Sequence, residues 1–162
     1  MAFSSSIVKT KRDGSVKIID GTGTPNELIL QLEVGDFTWE ETRAADTVIR
    51  DRGVIAGVRK ADDAEINLSF TIHADALTDS TDNALWDWLY FRGAAAGHTS
   101  TGGTGYEGNF VTIKYIIDAT SLGDPSDYAA TFSKVRCTVS FTEGDPSSIA
   151  VSGVCYGGVA YT

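Results

Sequence analysis

Little in this 162-residue chain is of the kind that does chemistry: it holds two cysteines, two histidines, one methionine and three prolines. Cys137 and Cys155 lie in apolar, alternating runs with no CxxC or Cys/His spacing. That excludes a recognisable zinc motif and points to reduced thiols in a core. His73 falls on the polar side of an alternating stretch and His98 in a glycine-rich one, and no HExxH or GxSxG is present, so both read as ordinary histidines. The glycine-rich "DGTGTPN" and "GGTGYEG" lack the lysine and following helix of a phosphate-binding loop. Asp82 and Asp87 are five apart and off a common helix face, and Asp62, Asp63 and Glu65 lack the spacing and glycine of an EF-hand. The expectation is a non-enzyme with no metal and no cofactor.

Long apolar runs are also missing. Nothing approaches the ~20 residues that span a bilayer, and "MAFSSSIVKTKRDG" has no apolar signal-peptide segment, so neither membrane insertion nor export is expected. Basic excess is missing too: 13 lysines and arginines face 22 acids, for a net charge of −9. Tight nucleic-acid binding needs phosphate neutralisation by a basic surface; a surface past which nucleic acid slides does not.

What is present is β pattern. With 42% hydrophobic and 22% charged residues, the chain reads as a single folded domain over 1–162. In "EINLSFTIHAD", Ile66, Leu68, Phe70 and Ile72 alternate with Glu65, Asn67, Ser69, Thr71 and His73, one face core and one polar. "ELILQLE", "DFTWEET", "FVTIKYIID", "FSKVRCTVSFT" and a run from about 149 to 156 read as further strands. Val135, Cys137, Val139 and Phe141 form one face of the fifth of these runs, Lys134 and Arg136 the other. Asp13-Gly14 suits a tight hairpin between "IVKT" and "VKII". One helix is expected over about 81–92. Asp79, Ser80 or Asp82 caps its start and Arg92 and Gly93 mark its end. Leu85, Trp88 and Leu89 face the core, while Trp86 and Tyr90, a face away, suit a neighbouring subunit.

Residues 43–60 stand apart. Arg43, Arg50, Arg52, Arg59 and Lys60 outnumber Asp46 and Asp51 there, and Gly53 and Gly57 punctuate two short strands that meet near Arg52-Gly53. Neither strand can build a core, and a lone two-stranded ribbon is marginal in water, so this arm needs a surface to lie on.

The order of basic arm, "VRKADDAEINLSF", tryptophan-bearing helix and C-terminal strands resembles the major tail tube proteins of long-tailed, siphovirus-like bacteriophages and related phage-like particles such as gene transfer agents. "DGTGTPNEL", "RDRG", "VRKADDAEINLSF" and "ALWDWL" carry the likeness over most of residues 13–92; the C-terminal half matches only in its pattern of strands. The resemblance implies a mainly β fold, a β-sandwich or partial barrel with one flanking helix and an extended hairpin arm. It implies six-membered rings stacked into a hollow tube, with tape measure, tail terminator and distal tail proteins as partners. The tube would conduct DNA without binding it. The subunit would fold in the host bacterial cytoplasm and reside in the virion tail, with a lean toward non-contractile tails. Under it, Arg43, Arg50, Arg52, Gly53, Gly57, Arg59 and Lys60 form the inter-subunit arm, with Asp62, Asp63, Asp75 and Asp79 as acidic partners on another copy. Glu27, Gln31, Glu33, Glu65, Asn67, Ser69 and Thr71 line the lumen if "ELILQLE" and "EINLSFTIHAD" share a sheet. Lys134 and Arg136 then either face outward or are paired with acids. A competing reading is a carbohydrate-binding β-sandwich offering Trp39, Trp86 or Trp88 for stacking, and a third is a small hydrolase.

Overall fold

The computed structural model describes residues 8–30, 32, 35–74, 85–102 and 108–162. The fold is mainly β with one short helix. Strands β1 (Gly14–Ile19), β2 (Glu27–Leu30), β3 (Thr38–Thr42), β6 (Glu65–His73), β7 (Val111–Ile117), β8 (Tyr128–Thr142), β9 (Ser148–Cys155) and β10 (Val159–Tyr161) form one antiparallel sheet. Its order is β2-β1-β7-β8-β9-β6-β3, with β10 also on β8. Strands β4 (Thr47–Asp51) and β5 (Val54–Arg59) make a separate two-stranded sheet, the expected arm.

The large sheet curls back on itself. Beyond β2, Leu32 bridges to Ile72 of β6, so the two ends of the strand path meet in a partial barrel. Inside the curl lie Val16 and Ile18 of β1, Leu68 and Phe70 of β6, Ile113 of β7, Phe132 and Val135 of β8 and Val151 of β9. Aromatic rings tie the two halves together across the interior. Phe37 stacks on Tyr115 of β7 at 5.0 Å and on Phe70 at 5.5 Å, while Trp39 meets Phe132 edge-on at 5.6 Å. Such pairs add roughly 0.5–1.5 kcal/mol each beyond their burial.

Helix α1 (Leu85–Tyr90) seats Leu85, Trp88 and Leu89 in the core as the periodicity requires. Trp88 packs edge-on against His98 at 4.4 Å, and His98 Nδ1 stands 3.8 Å from Asp20 at the end of β1. The expected caps Asp79, Ser80 and Asp82 lie outside the described residues. The helix closes differently from expectation. Arg92 N–H donates to the Asp87 carbonyl at 3.1 Å, and the left-handed closing residue is Phe91 (φ 46°), not Gly93. Gly93 (φ 56°) instead opens a one-turn 3-10 helix that buries Ala95. A six-to-one closing bond fixes the left-handed position by counting from the last turn, and the preference for glycine there yields to it.

Two strand expectations are corrected. No hairpin turns at Asp13-Gly14: Lys11–Asp13 is a one-turn 3-10 helix whose Asp13 carboxylate accepts the Thr10 N–H at 2.6 Å. From Gly14 onward, β1 pairs with β2 and β7. The second concerns β8, whose alternation changes phase midway. Ala130 and Phe132 point inward, then Val135; Ile113 pairs with Phe132 but Val111 with Val135, so β8 holds an extra residue. Lys134 takes φ 53° at this bulge, and bulges bend a strand and raise its twist. Beyond it Val139 is half-buried and Phe141 is exposed, because this part of the strand outruns the core. Cys137 and Cys155 are free thiols on the inner face. Burial pushes the Cys137 thiol up to about 12. Cys155 is raised too, by burial, and its thiol donates to the Ser133 and Gly158 carbonyls at 3.0 and 3.3 Å.

Candidate assembly site

The arm is a hairpin with an ordered tip and root. At the tip, Arg52 (φ 47°) and Gly53 (φ 88°) are both left-handed, the geometry of a two-residue turn whose twist matches that of a hairpin. At the root, the Asp46 carboxylate accepts the Ala61 N–H at 2.9 Å. Every residue of both strands is exposed except half-buried Gly57. Val48 pairs with Val58 and Arg50 with Ile55 on one face; Ile49 pairs with Gly57 and Asp51 with Val54 on the other. Aliphatic groups therefore occupy both faces, with Val54 71% exposed and Val58 58%. Covering the open half of each is worth roughly 1 kcal/mol. Arg43, Arg50, Arg52, Arg59 and Lys60 give the arm its basic character. Of the acids expected to meet it, Asp63 pairs with Lys60 of the same root at 3.4 Å and Asp62 is exposed. Asp75 and Asp79 lie outside the described residues.

A second surface is the outer face of β3, β6, β9 and β8. Direct pairing aligns Thr38, Ser69, Ser152 and Thr138 in one row and Glu40, Asn67, Val154 and Arg136 in the next. The Thr38 and Ser69 hydroxyls are 2.9 Å apart. Glu65, opposite Thr42, and Thr71, opposite Ala150, extend this face. These rows line a shallow trough of about 700 Å³. Gly153 faces inward between Leu68 and Cys137, where a Cβ would stand 2.8 Å from Val135 Cγ1. Glu65, Asn67, Ser69 and Thr71 thus share one surface. Glu27 is exposed on β2, in an ion pair with Lys17 at 2.9 Å, and the chain beyond β2 meets β6 at the Leu32–Ile72 bridge. Gln31 and Glu33 lie outside the described residues. Arg136 belongs to the trough, and its guanidinium reaches over Gly108; Lys134 sits at the bulge.

The helix presents Trp86, half-buried, and Tyr90, 40% exposed. Arg92 covers both rings, its guanidinium 5.9 and 5.4 Å from their centres, and holds the buried Asp87 carboxylate at 3.5 Å. Trp88 is fully buried, and Trp39 packs into the aromatic cluster. No flat tryptophan platform of the kind a sugar stacks on is formed by these three.

Asp20 organises the loop after β1. Its carboxylate accepts the N–H and hydroxyl of Thr22 and both the backbone and side-chain N–H of Asn26. Burial raises its pKa, but the four hydrogen bonds outweigh burial and hold it below the usual carboxylate value. Gly21 in this loop has no room for a side chain, since a Cβ would stand 2.6 Å from the Ser100 carbonyl oxygen. Gly21 of "DGTGTPN" thus serves packing, whereas a Cβ at Gly23 would meet nothing within 4 Å. Among the described residues no group of three or more His, Cys, Asp or Glu is placed to hold a metal ion, and no helix is long and apolar enough to cross a membrane.

No protein-family model matches the chain, and a search of curated proteins yields no relative. Solved structures do match. A chain of the sheath–tube complex of an extracellular contractile injection system, in the extended state, aligns with TM-score 0.62 at 8% identity. The alignment covers 97% of this chain and 93% of that one. A chain of the sheath/tube terminator of the same kind of system aligns with TM-score 0.60 at 10% identity, covering 97% and 98%. The fold is that of injection-system proteins. Both neighbours come from contractile machines, whereas the sequence motifs lean toward non-contractile tails.

The arm and the polar face of β6 were visible in the residue pattern. The trough was not, because a face made of four strands depends on which strands pair. Trp39 gave no sign of packing inward either, since "DFTWEET" carries its apolar residues among acids and threonines.

Proposed function

We propose that this chain is the repeating subunit of a phage-tail-like tube, in which copies close into six-membered rings and the rings stack around a hollow conduit. The observation that carries the reading is the arm: a basic hairpin with aliphatic side chains exposed on both faces, which no other described residue of the chain covers. The strand path also ends at β2 and β3, and the single Leu32–Ile72 bridge leaves most of their outer edges, among the described residues, to offer backbone groups to another copy. Chains with this fold belong to a sheath–tube complex and to a sheath/tube terminator, which supports a role as a structural part of such a particle.

On this reading the trough of Thr38, Ser69, Ser152 and Thr138, with Glu40, Glu65 and Asn67, lines the conduit. Arg136 is the trough's one cation in these rows, so phosphate contacts and the counterion release that would hold DNA stay few. Partners are further tail components at the two ends of the tube, and assembly takes place in the host cell before the particle is complete.

The similar match to a terminator favours a second reading, a ring that ends a tube. Electron microscopy of the concentrated, purified protein separates the two. Open polymers of varying length support the tube subunit, single closed rings support the terminator, and a monomer at all concentrations overturns both.

A further inference from the structure

The end of the barrel where β1 begins, opposite the helix, is open. There Trp39, Tyr115, Ile117, Tyr128, Ala130 and Tyr161 line an apolar groove of about 210 Å³, space for a pair of aliphatic side chains. Trp39 and Tyr128 are more than a third exposed and Tyr161 is 61% exposed, although their neighbours Phe132 and Ala130 are buried. The aromatic cluster of the core therefore reaches solvent at this mouth. At its edge Glu41 accepts the Tyr161 hydroxyl at 3.0 Å. Asp118 and Asp127, next in sequence to Ile117 and Tyr128, are exposed and add negative charge nearby, their carboxylates accepting N–H groups of the 119–121 turn.

We infer that this groove receives the arm tip of a second copy end-on, with Val54 and Ile55, on opposite faces of the tip, each against an aromatic wall of the groove and Arg50 and Arg52 set against the acidic rim. The inference rests on the proposed self-assembly and names the surface that accepts the arm. Chemistry matches on both terms. Val54 and Ile55 are 71% and 55% exposed; Ile55 stands opposite Arg50 on one face of the tip and Val54 opposite Asp51 on the other, and Arg50 and Arg52 against Asp51 leave the tip net positive. The groove is apolar at its floor and anionic at its edge. Five residues at ~3.4 Å each put the tip about 17 Å from the arm's root, and every residue of its two strands except Gly57 is exposed.

Mixing two variants, each with one added exposed cysteine beside the inward-facing Cys137 and Cys155, tests this. Val54→Cys is combined with Tyr161→Cys under mild oxidation in the assembled state, and Val54→Cys with Thr112→Cys, on the outer face of β7, serves as control. The expected result is a disulfide dimer from the first mixture and none from the second. Ile55→Asp, a change in an exposed hairpin that leaves the core untouched, should raise the protein concentration needed for assembly about tenfold or more. Assembly with no Val54–Tyr161 cross-link and no effect of Ile55→Asp overturns the groove while leaving the tube reading standing. So does a cross-link from Tyr161→Cys to Ser5→Cys of the same chain, which would make the chain's own first residues the occupant. A wild-type protein that stays monomeric removes both.

Discussion

Gly153 and Val135 sit on neighbouring strands with no room between them for a methyl group, a Cβ on the glycine standing 2.8 Å from Val135 Cγ1, 3.2 Å from Leu68 and 3.3 Å from Cys137 Sγ. Gly153→Ala should therefore destabilise the fold by roughly 1–3 kcal/mol through overpacking, read as a lower urea midpoint with an unchanged slope. Gly57→Ala, where a Cβ meets nothing within 4 Å, is the comparison and should leave the midpoint in place.

Trp88 and Trp86 are two residues apart and should behave differently. Trp88 is fully buried, so Trp88→Ala should lose about 3–5 kcal/mol and most of the soluble protein. Trp86, half-buried under Arg92, should lose less than half of that in thermal unfolding. Equal losses would mean that Arg92 shields Trp86 as completely as the core shields Trp88.

Asp20→Ala removes the acceptor of four hydrogen bonds around the β1–β2 loop and should cost about 2–3 kcal/mol. The pH dependence has a definite sign. The folded carboxyl lies below its ordinary value, so its contribution is complete above the unfolded value of about 4 and fades as pH falls through the folded one. Wild-type stability should drop on acidification below pH 4, and the fall should be shallower in Asp20→Ala.

Reversing the arm's charge tests assembly apart from folding. The double substitution Arg50→Glu and Arg52→Glu changes only exposed positions, and exposed pairs contribute ~0–1 kcal/mol each. The melting temperature should stay near that of wild type while sedimenting polymer is lost. Undiminished polymer from the double variant would show that the arm's charges do not hold copies together.

Both thiols are held protonated, Cys137 up to about 12 and Cys155 raised by burial, and thiolate is the reactive form. The folded protein should react slowly with an aromatic disulfide reagent at pH 8, and both thiols should react at once on unfolding.

Much of this fold can be read from residue order where order alone decides it. The alternation of Ile66, Leu68, Phe70 and Ile72 names a strand and its buried face without reference to any other strand. The arm shows itself because valine and isoleucine beside arginine and glycine have no core to enter. What escapes such reading depends on partners distant in sequence. The Lys134 bulge exists because Val111 and Ile113 dictate the spacing on the facing strand, and "FSKVRC" carries no glycine to announce it. Strand β10 is three residues long and owes its form to β8. Asp13-Gly14 misleads because the turn chemistry is genuine but the first strand it would join is absent from Val8–Thr10.

The bulge also makes β8 a strand with two reading frames. Before Ser133 the even-numbered residues Ala130 and Phe132 go inside; after Lys134 the odd-numbered Val135 and Cys137 do. Losing Lys134 would merge the frames into one alternation that still sends Phe132, Val135 and Cys137 inward and Arg136 outward. What the strand would lose is the bend and added twist of the bulge. The extra residue therefore serves the curvature of the sheet rather than the choice of which side chains are buried.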